Sequence, residues 1–243
     1  YPNARAVINA IAGKNPDMFH EDRSTRTPYL IPEGNKHIGR VEEQRMLFTA
    51  INALHEKNIA DIPSIFVIRG ESGMGKTHLL QKVKEAALRN VDKIYISTID
   101  LPALENVIDE WEQNLLKCLD ENDKPILAII DNVHEADGKI AKLIKSLASR
   151  ILERKSIDAY KGTQPILLIA SVGLPFDKIK LSFFADVMEN NLVRIIHLFP
   201  FGKFELKSYL KSTPAMKDYE IHDSWLEALH SNTGGIPREV KEH

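Results

Sequence analysis

The chain has 243 residues, of which 43% are hydrophobic and 27% charged, with a formal net charge of −2. That length holds one large α/β domain and a small appended one, and the near-neutral charge does not mark a strongly basic nucleic-acid binder, although a local basic patch would suffice for one. The single cysteine, Cys118, excludes an internal disulfide and fits a reducing, cytoplasmic setting. No apolar run approaches the roughly 18 residues of a membrane span, so no membrane contact is expected. The first residues lack the basic-then-apolar pattern of a signal peptide, and with no initiating Met the sequence is expected to be a trimmed chain or a fragment.

In chain order, residues 3–12 read as a short helix ending at Gly13. Residues 14–36, with Arg23, Arg26, Pro28, Tyr29, Pro32 and Gly34, read as a linker or irregular arm, so that 1–36 forms an N-terminal segment. Residues 40–57 have helical apolar spacing at Val41, Met46, Leu47, Ala50, Ile51 and Leu54. Short apolar runs at 64–69, 93–99, 126–130, 166–170 and 193–198 read as strands. Helices at 76–89, 102–119 and 138–154 fall between them. The second of these places Leu104, Val107, Ile108, Trp111, Leu115 and Leu119 on one face, and the third Ile140, Leu143, Ile144, Leu147, Ile151 and Leu152. Continuous apolar strands alternating with helices predict an α/β sandwich around a parallel five-stranded sheet covered on both faces. After Pro200 the strands stop, and helices at 203–211, 224–231 and from 237 predict a small C-terminal helical domain. The expected division is 37–200 for the α/β domain and 201–243 for the start of a truncated helical lid.

Gly70-Glu71-Ser72-Gly73-Met74-Gly75-Lys76-Thr77 matches the phosphate-binding pattern G-x-x-x-x-G-K-[ST] and lies between a predicted strand and a predicted helix. The glycines let the backbone curl so that its N–H groups face phosphate oxygens, and the helix N-terminus adds partial positive charge. Glu71, Ser72, Gly73, Met74, Gly75, Lys76, Thr77 and His78 are the expected nucleotide contacts. Lys76 reaches the β- and γ-phosphates of ATP, and Thr77 is a magnesium ligand. A second magnesium anchor is expected at Asp131, which ends an apolar strand at the sheet edge where α/β proteins bind ligands. The plainer alternative is an Asp that caps a helix after a buried strand.

Many ATPases of this layout carry a glutamate directly after that Asp, to polarise the attacking water. Here the residue is Asn132, which can orient a water but cannot take its proton. His134 and Glu135 follow closely, and Glu135 has two readings, a substitute base or a solvated acid at a helix start.

Taken together these residues resemble the AAA+ superfamily, in its replication-initiator-like, STAND-like and transposition-ATPase branches. The resemblance runs from about residue 37 to the C-terminus. His37-Ile38-Gly39-Arg40-Val41-Glu42-Glu43 is similar to the family's GR-x-x-E segment, which implies that Gly39 and Arg40 lie near the adenine. Ser171 falls at the polar γ-phosphate sensor. The segment Leu198-Phe199-Pro200-Phe201 and then Phe204-Glu205-Leu206 resembles the entry to the helical lid. Thr233-Gly234-Gly235-Ile236-Pro237-Arg238 resembles the second sensor, with Pro237 at the first helical position and Arg238 aimed at the nucleotide. The resemblance implies that Lys76, Asp131, Asn132, Glu135, Ser171 and Arg238 form the catalytic set, with ATP or ADP and Mg2+ as cofactors.

The departures are informative. Residues 174–191, where the family keeps an arginine finger, contain no Arg, only Lys178 and Lys180, and Arg194 comes late. With Asn132 this predicts slow hydrolysis. The helix at 138–154 carries Lys139, Lys142, Lys145, Arg150 and Arg154, followed by Lys155; it reads more simply as a solvated face than as a surface for a phosphate backbone. Two functions are expected to compete. One is an ATP-dependent switch within a multisubunit assembly that acts on DNA in initiation, transposition or defence, oligomerising with nucleotide. The other is a STAND-type signalling module that never touches nucleic acid. The two-sensor pattern argues against a small-molecule kinase, and the lack of N-K-x-D after the third strand argues against a GTPase.

Overall fold

The computed structural model describes residues 40–57, 62–89, 93–121, 124–135, 138–156, 164–173, 192–214 and 216–242, with only the backbone at 120–121, 139–141, 154–156 and 242. The expected helix at 3–12, the arm at 14–36, Gly39 and the stretch 174–191 lie outside the described residues. The described elements, in order, are α1 (Val41–His55), β1 (Ile65–Arg69), α2 (Lys76–Leu88), β2 (Tyr95–Asp100), α3 (Glu105–Glu121), β3 (Ile126–Asp131), a 3-10 turn (Val133–Glu135), α4 (Gly138–Ser156), β4 (Ile166–Val172), β5 (Val193–His197), α5 (Lys203–Ser212), α6 (Asp223–Thr233) and α7 (Pro237–Glu242).

Contacts divide the chain into two units. Among the described residues, one comprises those within Glu42–Ser72 and Lys76–Leu198; the other comprises Arg40–Val41, Gly73–Gly75 and those from Phe199 to Glu242.

The first unit is built on a five-stranded sheet in the order β2-β3-β4-β1-β5, every pairing parallel. Both faces of β3 and β4 are buried along their whole length, which is why these strands read as unbroken apolar runs rather than alternating ones. On one face Ile65, Val67, Ala128, Ile130, Leu168 and Ala170 pack with Ile108, Trp111, Leu115 and Leu119 of α3 and Leu143, Ile144, Leu147 and Ile151 of α4. The helix α2, with Leu79, Leu80, Val83 and Ala87 buried, lies against β2, β3 and β4. Each fully buried Leu or Ile contributes about 1.5–3 kcal/mol of transfer free energy, so this core fixes the strand ends that carry the polar residues.

Three local expectations change. The helix α3 begins at Glu105, so Leu104 lies outside its register and is 73% exposed; Val107 is exposed as well, and the buried stripe is Ile108, Trp111, Leu115 and Leu119. At the start of α1, Val41 is exposed and Gln44 takes the buried slot one turn on. Ser171 is not the residue after β4 but lies within it, fully buried.

The second unit has its own apolar cluster, Phe201, Leu206, Leu210, Met216, Ile221, Trp225, Leu226, Leu229 and Val240. Glu205 accepts the N–H of Gly202 at 2.8 Å, the glutamate half of a capping box that starts α5. Gly234, in the left-handed region at φ 57°, ends α6 as a C-cap. Lys203 with Glu227, and Lys207 with Asp223 at 3.2 Å, tie α5 to α6. The Lys203 ammonium holds the Glu227 carboxyl below its usual range.

Candidate functional site

The loop between β1 and α2 has the conformation that its glycines permit. Gly73 and Gly75 sit at φ +85° and +87°, backbone that a side chain rarely tolerates. At the head of α2, Lys76 is buried to 8% exposure, and its ammonium donates to the carbonyls of Gly70 at 3.0 Å and Glu71 at 2.9 Å. Glu71, Ser72, Thr77 and His78 are exposed, whereas the Met74 side chain is buried. Met74 can therefore meet a ligand only through its main chain.

The loop tip Gly73–Gly75 belongs to the second unit. The main-chain N–H of Arg238, in the first turn of α7, donates to the Gly73 carbonyl at 3.3 Å. A Cβ on Gly73 would lie 2.9 Å from that of Arg238 and 3.1 Å from Cγ2 of Ile236, so the approach exists only because position 73 is glycine. Arg40, 2% exposed, donates through Nη2 to the carbonyls of Phe199 at 2.5 Å and Met74 at 3.4 Å, and its guanidinium stands 4.9 Å from the Phe201 ring centroid. This geometry commits much of Arg40 to the protein itself. Gly235 has the same close-packed character as Gly73. Its carbonyl accepts the Phe201 N–H at 2.8 Å, and a Cβ there would stand 2.2 Å from the Phe201 carbonyl oxygen.

The sheet order places β3 beside β4, in the register Ile130↔Ala170, and so brings Asp131 and Ser171 together. The Ser171 hydroxyl donates to Oδ1 of Asp131, which is 5% exposed. The N–H of Asn132 is shared between Asp131 Oδ1 and Ser171 Oγ, at 3.0 Å each. Asn132 itself has φ +56°, a conformation Asn tolerates better than most residues. Its side-chain amide donates to Oδ1 of Asp100, at the end of β2, at 3.0 Å. Asp100 and Asp131 are register partners.

Beyond Asn132 the chain makes its 3-10 turn. His134 Nδ1 accepts the N–H of Gly173 at 3.0 Å, which sets its neutral tautomer with the proton on Nε2. A Cβ on Gly173 would come within 2.7 Å of the ring, so the contact requires glycine. Glu135 is exposed, with Oε1 3.5 Å from His134 Nε2. Asp100 and Gly173 escaped the sequence reading. The signal for Asp100 was present, an acid closing the strand next to the one that ends in Asp131, but it depended on strand order.

These groups fit a magnesium nucleotide. The left-handed glycines form a cradle that Cβ atoms would strain. Lys76 supplies a buried ammonium among carbonyls, Thr77 an open hydroxyl at a helix start, and Asp131 a buried carboxylate. Among the described residues no three His, Cys, Asp or Glu side chains gather as a cation site; magnesium takes few protein ligands when phosphates supply the rest.

Fold and site together are those of a P-loop α/β sandwich with a helical C-terminal part, and the solved structures it is similar to include a replication initiation protein. Domain III of the replication initiation protein DnaA from Thermotoga maritima is similar over 89% of this chain and 87% of its own, at 19% identity and a TM-score of 0.54. CDC6P from Pyrobaculum aerophilum is similar over 89% of this chain and 60% of its own, at 16% identity and a TM-score of 0.55. The ORC2 protein of Aeropyrum pernix, in its ADP form, is similar over 92% of this chain and 65% of its own, at 15% identity and a TM-score of 0.51. At these identities the likeness is one of fold, and the chain spans less than two thirds of the length of the CDC6P and ORC2 chains. No family model and no curated protein sequence matches the chain. Among the described residues no helix is long and apolar enough to cross a membrane.

Proposed function

We propose that this chain binds ATP with magnesium and works as an AAA+ ATPase, a slow nucleotide-dependent switch in a multisubunit assembly linked to nucleic acid in initiation, transposition or defence. The observation that carries this reading is the loop at 70–77, with two left-handed glycines and a buried Lys76 at the head of α2. On ATP binding, Lys76 exchanges the carbonyls of Gly70 and Glu71 for phosphate oxygens, while the N–H groups of 71–77 surround them. Thr77 and Asp131 hold the magnesium, which neutralises phosphate charge when bound. Ser171, hydrogen-bonded to Asp131, reads the state of that carboxylate. Arg238, hydrogen-bonded to Gly73, reads the state of the loop tip. Residues 37–200 serve as the nucleotide-binding domain, 201–243 as the lid and 1–36 as an arm toward partners. Other subunits of the assembly and DNA are the partners in this reading.

Slow turnover is supported by Asn132 in place of an acid and by the lack of Arg in residues 174–191. The initiator fold supports the nucleic-acid link. The net charge of −2 favours the second reading, a STAND-type module that holds nucleotide and regulates assembly without touching nucleic acid.

The test is binding of a fluorescent ATP analogue with magnesium, expected for the wild type and lost in Lys76→Ala. Retained affinity in that variant would remove the site assignment. A gel shift with and without ATP, repeated across salt concentrations, then separates the two readings. DNA association that needs ATP and weakens steeply with salt belongs to the first; light-scattering evidence of ATP-dependent assembly without any shift belongs to the second.

A further inference from the structure

The residue after Asp131 is the one that leaves the reaction without a proton acceptor. Asn132 carries an amide, which orients water but takes no proton. Its backbone lies in the left-handed region, and from there its side chain reaches the neighbouring strand, where Nδ2 donates to Oδ1 of Asp100 at 3.0 Å. Asp100 is the last residue of β2 and the register partner of Asp131. A carboxylate therefore stands one strand over from the expected place, at the same C-terminal edge of the sheet. It is open to water, and no cation among the described residues pairs with it. Asp131, by contrast, is buried and already accepts from Ser171 and from the Asn132 N–H.

We infer that Asp100 is the general base of this ATPase and that Asn132 is its positioning partner, so that acid and amide together do what a single glutamate after Asp131 would do. The inference rests on the ATPase reading above. In the step, the water oxygen forms a bond to the γ-phosphorus as the bond from that phosphorus to the β–γ bridging oxygen breaks. The electron pair leaves on ADP, and the water proton passes to Asp100 and from there to solvent. The amide of Asn132 keeps one carboxylate oxygen engaged, which holds the group in place and leaves the other oxygen for water. Glu135 is the rival. It lies beyond the 3-10 turn, with its carboxylate turned toward the ring of His134.

The experiment compares steady-state and single-turnover ATP hydrolysis, together with ATP-analogue binding, in the wild type, Lys76→Ala, Asp100→Asn, Glu135→Gln and the exchanged double variant Asp100→Asn/Asn132→Asp. Loss of a general base is expected to lower kcat by about 100-fold in Asp100→Asn, with analogue binding and KM unchanged. The double variant returns the carboxylate to the other half of the pair and is expected to recover at least about tenfold of that loss. A wild-type rate in Asp100→Asn overturns the proposal, as does a loss that follows weakened ATP binding. A loss carried by Glu135→Gln in place of Asp100→Asn also overturns it and assigns the base to Glu135, with the ATPase reading intact. A wild-type rate no higher than that of Lys76→Ala overturns both.

Discussion

The hydroxyl of Ser171, inside β4, donates to the Asp131 carboxylate at the end of β3, and the N–H of Asn132 closes the group by reaching both oxygens. Two candidate functional residues, 40 apart in sequence, are thus one hydrogen-bonded unit held by adjacent parallel strands. Any rearrangement of Asp131 around a cation is felt by Ser171, and the reverse.

Ser171→Ala removes that donor from the buried carboxylate and takes away one of the two acceptors of the Asn132 N–H, leaving only the bond between that N–H and Asp131 Oδ1. A hydrogen bond to a charged group contributes about 1.5–3 kcal/mol. Urea denaturation is expected to show a loss in that range with an unchanged m-value. Magnesium-dependent ATP affinity is expected to fall alongside it, measured by titration of the fluorescent analogue. Stability equal to the wild type would show that the pair carries little.

Gly173→Ala pushes a methyl group into the ring of His134, which a Cβ would meet at 2.7 Å. Overpacking of this kind costs about 1–3 kcal/mol. In a His134→Ala background the same change is expected to cost much less, because the ring it strikes is gone. A double-mutant cycle measured by denaturation reads that difference; additive effects would place the cost of Gly173→Ala elsewhere.

Arg40 joins the Met74 and Phe199 carbonyls and the Phe201 ring through one buried guanidinium. Arg40→Ala is expected to lower stability by about 3 kcal/mol, since charged hydrogen bonds and stacking are lost together. Arg40→Lys is expected to recover little of it, because a single ammonium has no planar fork to serve two carbonyls and a ring at once. Thermal denaturation of the three proteins checks this, and full recovery by Lys would reduce the role of Arg40 to its charge.

Gly235→Ala meets two obstacles, a φ of +73° and a Phe201 carbonyl oxygen 2.2 Å from the new Cβ. The backbone conformation alone costs about 1–3 kcal/mol, and the midpoint of thermal unfolding is expected to fall by roughly 2–4 °C for each kcal/mol. The preceding Gly234, with nothing within 4 Å of its Cβ position, provides the comparison: Gly234→Ala carries the backbone strain without the clash and is expected to cost less.

The strands, most helices and the glycine loop at 70–77 were legible in the sequence because each is written in neighbouring residues. Apolar runs such as 126–130 mark strands buried on both faces, the 3–4 spacing of Leu143, Ile144, Leu147 and Ile151 marks a helix face, and the glycines of G-x-x-x-x-G-K-T set the local curvature of the loop. Asp131 was legible for the same reason, as an acid closing an apolar run. Only the tertiary structure decided what surrounds these groups. Asn132 meets Asp100 across 32 residues, His134 meets Gly173 across 39, and Arg40 meets Phe199 across 159. The first two pairings depend on the strand order β2-β3-β4-β1-β5, and the approach of His134 also on the glycine at 173. A local pattern holds no record of which strand will lie beside which, since strand order is settled by the packing of the whole sheet.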